Sequence, residues 1–340
     1  KLNIALTFNL KPNEPSGCNN CEDSSISSNE DEYAEWDTEE TIFAVRDALA
    51  QNHNVTLIEA NNECFSKLQS VKPDFVFNIA EGKKGINREA HIPAILEFLE
   101  IPYSGSDPLT LSSTLNKART KEILTYHNIP NAKFVLANSI NDIDDFNLEF
   151  PVILKPIGEG SSKGIYNSSV VNNYSELEER LSEKLGLYNQ PCIIEEFLTG
   201  REFTVAVLGN SPDIKVLPIV EINFSELPKD LAPIYSYEAK WIADTKENPL
   251  EIFSCPADLS NNLKEQIESI ALKTYKVLDC KDWSRIDIRL DKFGIPNIIE
   301  VNPLPGILPD PLSNSCYPKA ARAAGMDYNT LINNVLNIAL

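Results

Sequence analysis

The stretch Ser284 to Asn302, SRIDIRLDKFGIPNIIEVN, spaces acids, arginines and an amide in a way that suits cation chemistry. Alternation along an extended strand turns Arg285, Asp287 and Arg289 to one face and Ile286, Ile288 and Leu290 to the other. On the return strand Glu300 and Asn302 share a face against Ile299 and Val301. A four-residue turn at KFGI then sets Asp287 opposite Glu300 and Arg285 opposite Asn302. Opposed carboxylates repel unless positive charge lies between them. Two carboxylates and an amide oxygen are hard donors of the kind Mg²⁺ takes, with phosphate oxygens completing its shell. The pattern predicts a metal site of Asp287, Glu300 and Asn302 for Mg²⁺, as a pair of ions or with Mn²⁺ in its place. The competing expectation is a solvated polar face whose acids are neutralised by Arg285 and Arg289.

A second stretch, VILKPIGEGSSKGI from Val152 to Ile165, runs an apolar strand into a lysine and a loop of small residues. It is not the G-x-x-x-x-G-K-[ST] turn, because Lys155 precedes the glycines and Lys163 is followed by Gly164. Backbone N–H groups at Gly158, Gly160 and Gly164 still suit an anion, with Lys155 as a point charge; a plain surface hairpin is the alternative. Lys117 in LNKARTK, Lys155, and Lys240 in YSYEAKW each stand at the end of an element, and together they match the charge of a triphosphate. The strand IIEEFLTGREF reads as an adenosine slot, with backbone groups from Glu195 to Leu198 at the base edge and Glu202 at the ribose hydroxyls.

The surrounding pattern says what must position these groups. Strands are predicted at LNIALTF, NVTLIEA and DFVFNIA, alternating with helices at IFAVRDALAQN and REAHIPAILEFLE, which implies an α/β unit with a parallel sheet over residues 1–105. The Pro, Ser, Asn and acid-rich segment 11–36 reads as a loop or lid. One helical connector, PLTLSSTLNKARTKEILTYHN, leads to a central unit, 106–196, with strands AKFVLA, FPVILKPI and PCIIEEFL. The helix YSELEERLSEKL between the last two makes the glycine loop the opening of a βαβ-like unit. Residues 197–340 carry strands REFTVAVLG, IKVLPIVEI, SRIDIRLD and PNIIEVN and helices LSNNLKEQIESIALKTYKVL and DYNTLINNVLNIAL.

Composition bounds the partners. The 340 residues are 42% hydrophobic and 24% charged, ordinary for a globular chain of two or three domains. A net charge of −20 argues against nucleic acid and acidic membrane surfaces, which reward clustered Lys and Arg. No apolar run nears the roughly 20 residues that cross a bilayer, and the reading is a cytoplasmic protein acting on small molecules. Seven scattered cysteines suit a reducing compartment. Cys18 and Cys21 form one C-x-x-C pair without the further ligands a zinc site needs. No G-x-G-x-x-G follows the first strand, which speaks against a nicotinamide dehydrogenase.

In order along the chain, DFVFNIAEG, LEIPYSGSDPLTLSSTLNKARTK, FPVILKPIGEGSSKGI, IIEEFLTGREFTVAVLG, YSYEAKW, CPADLS, DWSRIDIRLDKFGIPNIIEVNPLPG and YPKAARAAGMDYNTLI resemble the D-alanine:D-alanine ligase family of ATP-grasp enzymes. The resemblance covers nearly everything after residue 40. It implies an ATP-grasp fold, of mixed α/β and α+β character, in which ATP is clamped between antiparallel sheets of the central and C-terminal units. It implies an ATP-dependent ligase that joins two amino acids through an acyl phosphate, with commonly dimeric relatives and a place in peptidoglycan biosynthesis. By position it assigns Lys117, Lys155 and Lys240 to the phosphates, with Ser161 and Ser162 covering them. Glu195, Leu198 and Glu202 fall to adenosine, and Asp287, Glu300 and Asn302 to Mg²⁺. Arg285, Ser161, Lys240 and the Gly306 N–H take the catalytic work, Arg285 and Gly306 facing the oxyanion.

Four departures lie at the amino-acid end. The acid for the first ammonium has no clear counterpart, leaving Glu35, Asp37 and Glu39. A usual histidine is Glu81, and a usual tyrosine is Trp241. The turn PGILPDPLSNSCYP is longer than the family's, so that Ser313 or Ser315 meets the second carboxylate. Glu81 and the acidic lid suggest a cationic amino acid or a peptide amine. The alternatives are a ligase for another acid and amine pair, or a non-catalytic nucleotide-binding homologue.

Overall fold

A computed structural model describes residues 1–12, 33–228, 231–244 and 249–340. Cys18, Cys21 and most of the acidic segment 11–36 lie outside the described residues.

The chain runs β1 (Asn3–Phe8), α1 (Glu39–Ala50), β2 (Asn54–Glu59), α2 (Cys64–Val71), β3 (Phe75–Asn78), α3 (His91–Phe98), α4 (Pro108–Leu115), α5 (Lys117–Tyr126), β4 (Phe134–Ala137), β5 (Val152–Pro156), β6 (Val170–Val171), α6 (Tyr174–Tyr188), β7 (Cys192–Glu196), β8 (Glu202–Leu208), β9 (Lys215–Val216), β10 (Val220–Ile222), a π-helical turn (Glu238–Ala243), β11 (Phe253–Ser254), α7 (Asn261–Val277), β12 (Trp283–Leu290), β13 (Pro296–Asn302), α8 (Cys316–Ala323) and α9 (Tyr328–Ala339).

The first sheet is parallel, in the order β2–β1–β3. β1 is apolar on both faces because both are covered. Ile4 and Leu6 pack with α1 and α9, while Ala5 packs with α2 and α3 on the other side. The last helix therefore closes the core of the first sheet: Val45 and Leu49 of α1 share that core with Leu331, Ile332 and Val335 of α9, and Asn333 Nδ2 donates to Ala48 O at 2.9 Å.

The other two sheets are antiparallel throughout: β4–β7–β5–β6, and β11–β10–β8–β12–β13 with β9 on β8. The βαβ-like unit expected around the glycine loop is corrected here. β6 reverses the chain beside β5 before α6 begins, so β7 returns antiparallel to β5. α7 backs the larger sheet with Ile267, Ile270, Ala271, Thr274 and Tyr275, the spacing of a helical stripe, and Ser260 caps its first turn by accepting from Leu263 N.

Several elements differ from the sequence expectation for local reasons. The single connector helix is two, broken at Asn116, whose side chain accepts from Arg119 N at 3.0 Å and restarts the helix at Lys117. The strand IKVLPIVEI is split into β9 and β10 around Pro218, which has no N–H for the ladder. Helices α2 and α8, each 8 residues, were not expected.

The hairpin β12–β13 carries two irregularities that cancel. Its connection is five residues, Asp291–Ile295, and pairs Leu290 with Pro296 and Ile288 with Ile298. Continued unbroken, that register would set Asp287 opposite Ile299. A bulge at Ile299 restores the pairing Asp287 with Glu300 and Arg285 with Asn302. The expected opposition of acids holds, but Ile299 is corrected: the bulge turns it from the core face into the cleft beside Glu300.

Candidate active site

A cleft opens between the two antiparallel sheets and is lined from both. β5 and β7 present Lys155 and Glu195; β8, β12 and β13 present Glu202, Thr204, Arg285, Asp287, Arg289 and Glu300. The glycine-rich loop and the π-helical turn form one wall, with Ser161, Ser162, Lys240 and Trp241.

On the side of the smaller sheet, Glu195 is 3% exposed and serves two lysines. Lys155 Nζ lies 3.0 Å and Lys121 Nζ 3.5 Å from Glu195 Oε2. Burial pushes the Glu195 carboxyl up, and the two ammonium groups outweigh it and hold it below its usual value. The side chain of Glu195 is thus a counter-ion at the cleft floor. Lys121 escaped the sequence reading, although its i,i+4 spacing from Lys117 was a usable signal. Both side chains stand on one face of α5. Lys117 Nζ meets Glu300 Oε1 at 2.8 Å and also donates to Glu159 O of the glycine loop.

Across the cleft, Asp287 Oδ1 accepts from Thr204 Oγ1 at 2.8 Å and Oδ2 from Arg285 Nη2 at 3.1 Å. Asn302 reaches the group only through a 3.4 Å contact from Nδ2 to Asp287 Oδ2 and does not line the cleft. The expected carboxylate repulsion is relieved by side chains: Arg285 pairs with Asp287 and Lys117 with Glu300. Repulsion alone therefore does not require a metal. Burial raises Asp287 in spite of Arg285. Burial also pushes Glu300 up, but Lys117 chiefly brings it down to about 2. The donor set still fits Mg²⁺, with two carboxylates opposed at one register step and lining the cleft.

Glu202 Oε2 accepts from Arg289 Nη1 at 3.1 Å, and the Arg289 guanidinium lies over the rings of Phe197 and Phe224, 4.8 and 5.0 Å from their centroids. Leu198 lines the cleft beside Phe197. The glycine loop is pinned at its far end by Trp241 Nε1 donating to Ser161 O at 3.1 Å and Ser162 Oγ donating to Tyr235 O at 2.8 Å. Ser161 and Ser162 hold φ of 50° and 62°, a left-handed pair that non-glycine residues adopt only under constraint.

Lys240 lines the cleft, and burial, then Arg285, lowers its ammonium from 10.5 to about 8. Between those values the unfolded chain binds the proton more tightly, so this group's contribution to stability rises with pH there. Anion binding has the opposite sign, because it draws on the protonated form. The affinity for ADP is expected to weaken by up to about tenfold per pH unit above 8, a segment that Lys240→Met removes, read by calorimetry from pH 7 to 9.5.

Asp37 also lines the cleft, as do Gly306, Ile307 and Ser315. Burial pushes its carboxyl up to about 7, and no cation among the described residues offsets this. Glu39 is exposed at the start of α1, and Glu35 is taken by Arg88 at 2.7 Å. Ser315 lines the cleft, its Oγ donating to Gly306 O and accepting from Leu308 N, both at 3.2 Å, whereas Ser313 does not line it. Glu81 is not among the lining residues but clusters with Glu89 and with Glu35, which does line the cleft, one oxygen of each within 4.8 Å of the others.

Residues 122–337 match the family described as D-ala D-ala ligase C-terminus. The chain is 33% identical over 296 residues to an uncharacterised protein, y4sG, of Sinorhizobium fredii, covering 84% of this chain and 83% of that one. It is 31% identical over 296 residues to a D-alanine–D-alanine ligase of Bordetella petrii, covering 86% of this chain and 83% of that one. In fold it is similar to the D-alanine–D-alanine ligase of Bacillus anthracis complexed with ATP, with a TM-score of 0.72 and 22% identity, covering 100% of this chain and 97% of that one.

Proposed function

The chain belongs to the D-alanine–D-alanine ligase family and is an ATP-dependent C–N ligase, and we propose that it joins the carboxylate of one amino acid to the amine of a second. The observation that supports this reading most is the ring of cations and acids around one cleft: Lys117, Lys155, Lys240 and Arg285 with Asp287 and Glu300. In the proposed reaction the first carboxylate attacks the γ-phosphorus and ADP departs. The second amine then attacks the acyl carbon, phosphate leaves, and the amine sheds its proton.

Lys117, Lys155 and Lys240 carry the charge that a triphosphate needs, and Ser161 and Ser162 present backbone over it. Leu198 and the segment after Glu195 take the adenine, and Glu202 the ribose. Asp287 and Glu300, with Asn302 behind Asp287, hold Mg²⁺, which when bound neutralises charge on the transferring phosphoryl group. For these residues to bind metal, Lys117 and Arg285 exchange carboxylate partners for phosphate oxygens.

Arg285 and the Gly306 N–H face the tetrahedral oxyanion, where loss of one donor typically costs about 2.7–4 kcal/mol of barrier. Asp37, desolvated and without a cation among the described residues, supports the assignment of the first ammonium to it rather than to Glu35 or Glu39. Ser315 is favoured over Ser313 for the second carboxylate. Holding both reactants together removes an entropic barrier of roughly 7–11 kcal/mol.

The reading extends to free amino acids or short peptides as substrates, peptidoglycan precursors as products, a cytoplasmic location and a homodimer. No helix of the described residues is long and apolar enough to cross a membrane. A purely nucleotide-binding role is not favoured by the family match. The deciding experiment incubates the protein with ATP, Mg²⁺ and pooled D- and L-amino acids and searches for dipeptides by mass spectrometry. A dipeptide formed with stoichiometric ADP supports the proposal; ADP without any condensed product overturns it.

A further inference from the structure

Arg88 joins three parts of the molecule at one buried guanidinium. Its Nη2 donates to both carboxylate oxygens of Glu35, at 2.8 and 2.7 Å, and its Nη1 donates to Gly158 O in the glycine-rich loop at 2.5 Å. The Arg88 and Glu35 side chains are 8% and 11% exposed. Glu35 stands two residues before Asp37, on a segment hydrogen-bonded to the extension of β1 through Lys11 N to Asp37 O and Asp37 N to Asn9 O, at 2.8 and 3.0 Å. The indole of Trp36 donates to Gly82 O at 3.0 Å, fixing the same segment to the loop that carries Arg88.

The glycine loop is shaped to this contact. A Cβ at Gly160 would collide with Glu35 Oε1, although the Gly160 backbone is not in the left-handed region. The absence of a side chain there lets the carboxylate sit against the loop while Arg88 grips the loop's carbonyl. From its other sides the loop is held by Lys117, Gln190 and Trp241. Arg88 ties the loop to the first, parallel-sheet part of the chain.

We propose that Arg88 is a positioning residue that latches the glycine-rich loop to the segment carrying Glu35 and Asp37, so that the nucleotide and the first amino acid bind synergistically. The proposal rests on the reading of that loop as the cover of the triphosphate. The Arg88 to Gly158 contact is already made in the structure, and a nucleotide under the loop strengthens it by holding the loop in this position. The bound Arg88 then holds Glu35, and with it the backbone that presents Asp37 to an ammonium group. Such coupling is reciprocal by thermodynamic necessity. A lysine at this position keeps the charge but cannot reach two acceptors with a fixed fork.

The test is hydrogen exchange and steady-state kinetics on the full chain. In the nucleotide-free protein, Arg88→Met is expected to speed exchange of the amides from Gly158 to Gly164 by about tenfold, the loss of roughly one charge-assisted hydrogen bond. KM for ATP rises by a similar factor, kcat at saturation stays within about threefold, and the dependence of KM for ATP on the first amino acid disappears. Arg88→Lys is intermediate. Gly160→Ala reproduces the exchange effect from the loop side, and in a Glu35→Ala background it has no further effect, because the two changes break one contact. Unchanged exchange in Arg88→Met, or a Gly160→Ala effect equal with and without Glu35, overturns the latch. Should Arg88→Met not fold, the Gly160 and Glu35 cycle decides. A wild-type chain that forms no dipeptide sinks the ligase reading instead, while exchange still reads the latch.

Discussion

Asp287→Asn is expected to lower turnover, read as ADP release with Mg²⁺ and both substrates saturating, by about 10²–10³-fold, the loss that follows removal of one preorganised electrostatic group. The protein should fold as before. The amide keeps an oxygen for Arg285 and Asn302, and its NH₂ meets Thr204 Oγ1, a hydroxyl that accepts as readily as it donates. Burial and Glu300 already disfavour the charged form of Asp287, so the relief of that penalty offsets the loss of the Arg285 ion pair, and Glu300 remains as a counter-charge for Arg285. The loss should therefore appear in kcat and in the Mg²⁺ concentration dependence, with the thermal midpoint nearly unmoved. Wild-type turnover in this variant would remove the proposed metal site from the mechanism.

The largest expected effect on stability is at Glu195. Glu195→Gln leaves the ammonium groups of Lys155 and Lys121 buried, 6% and 2% exposed, with no carboxylate between them. Breaking a buried pair by removing one partner costs about 3–5 kcal/mol, because an uncompensated charge remains. Here one acid serves two cations, and the upper part of that range is expected. Urea unfolding monitored by far-ultraviolet circular dichroism gives the measurement. Adding Lys121→Met should recover most of the loss by removing the surplus cation, and a double variant no more stable than Glu195→Gln alone would show that Lys121 is not the charge Glu195 serves.

These two sites show how unevenly the molecule could be read in advance. The alternation of acids and apolar residues in β12 and β13 is a local property, and it placed Arg285, Asp287 and Glu300 on one face correctly. A four-residue turn leads to the right opposition by a wrong path: the connection is one residue longer, and a bulge at Ile299 compensates. Neither irregularity has a period, and their sum is invisible to alternation. Likewise the helical pattern ran unbroken through Asn116, and nothing in the pattern says that its side chain caps a new helix.

Local order was written along the chain: the apolar runs of the parallel sheet, the stripe of α7, the lysine and glycine spacing of the loop and the acids of the hairpin, since each depends on neighbours within a few residues. The packed chain alone settled which charges answer which. Glu195 between Lys155 and Lys121, Lys117 against Glu300, and Arg88 holding Glu35 to Gly158 all join residues far apart in sequence, and Asp37 meets no cation among the described residues. A charge buried by folding is governed by whatever the other elements bring within a few ångströms, and that distance is set by sheet order, helix breaks and a bulge rather than by spacing along the chain.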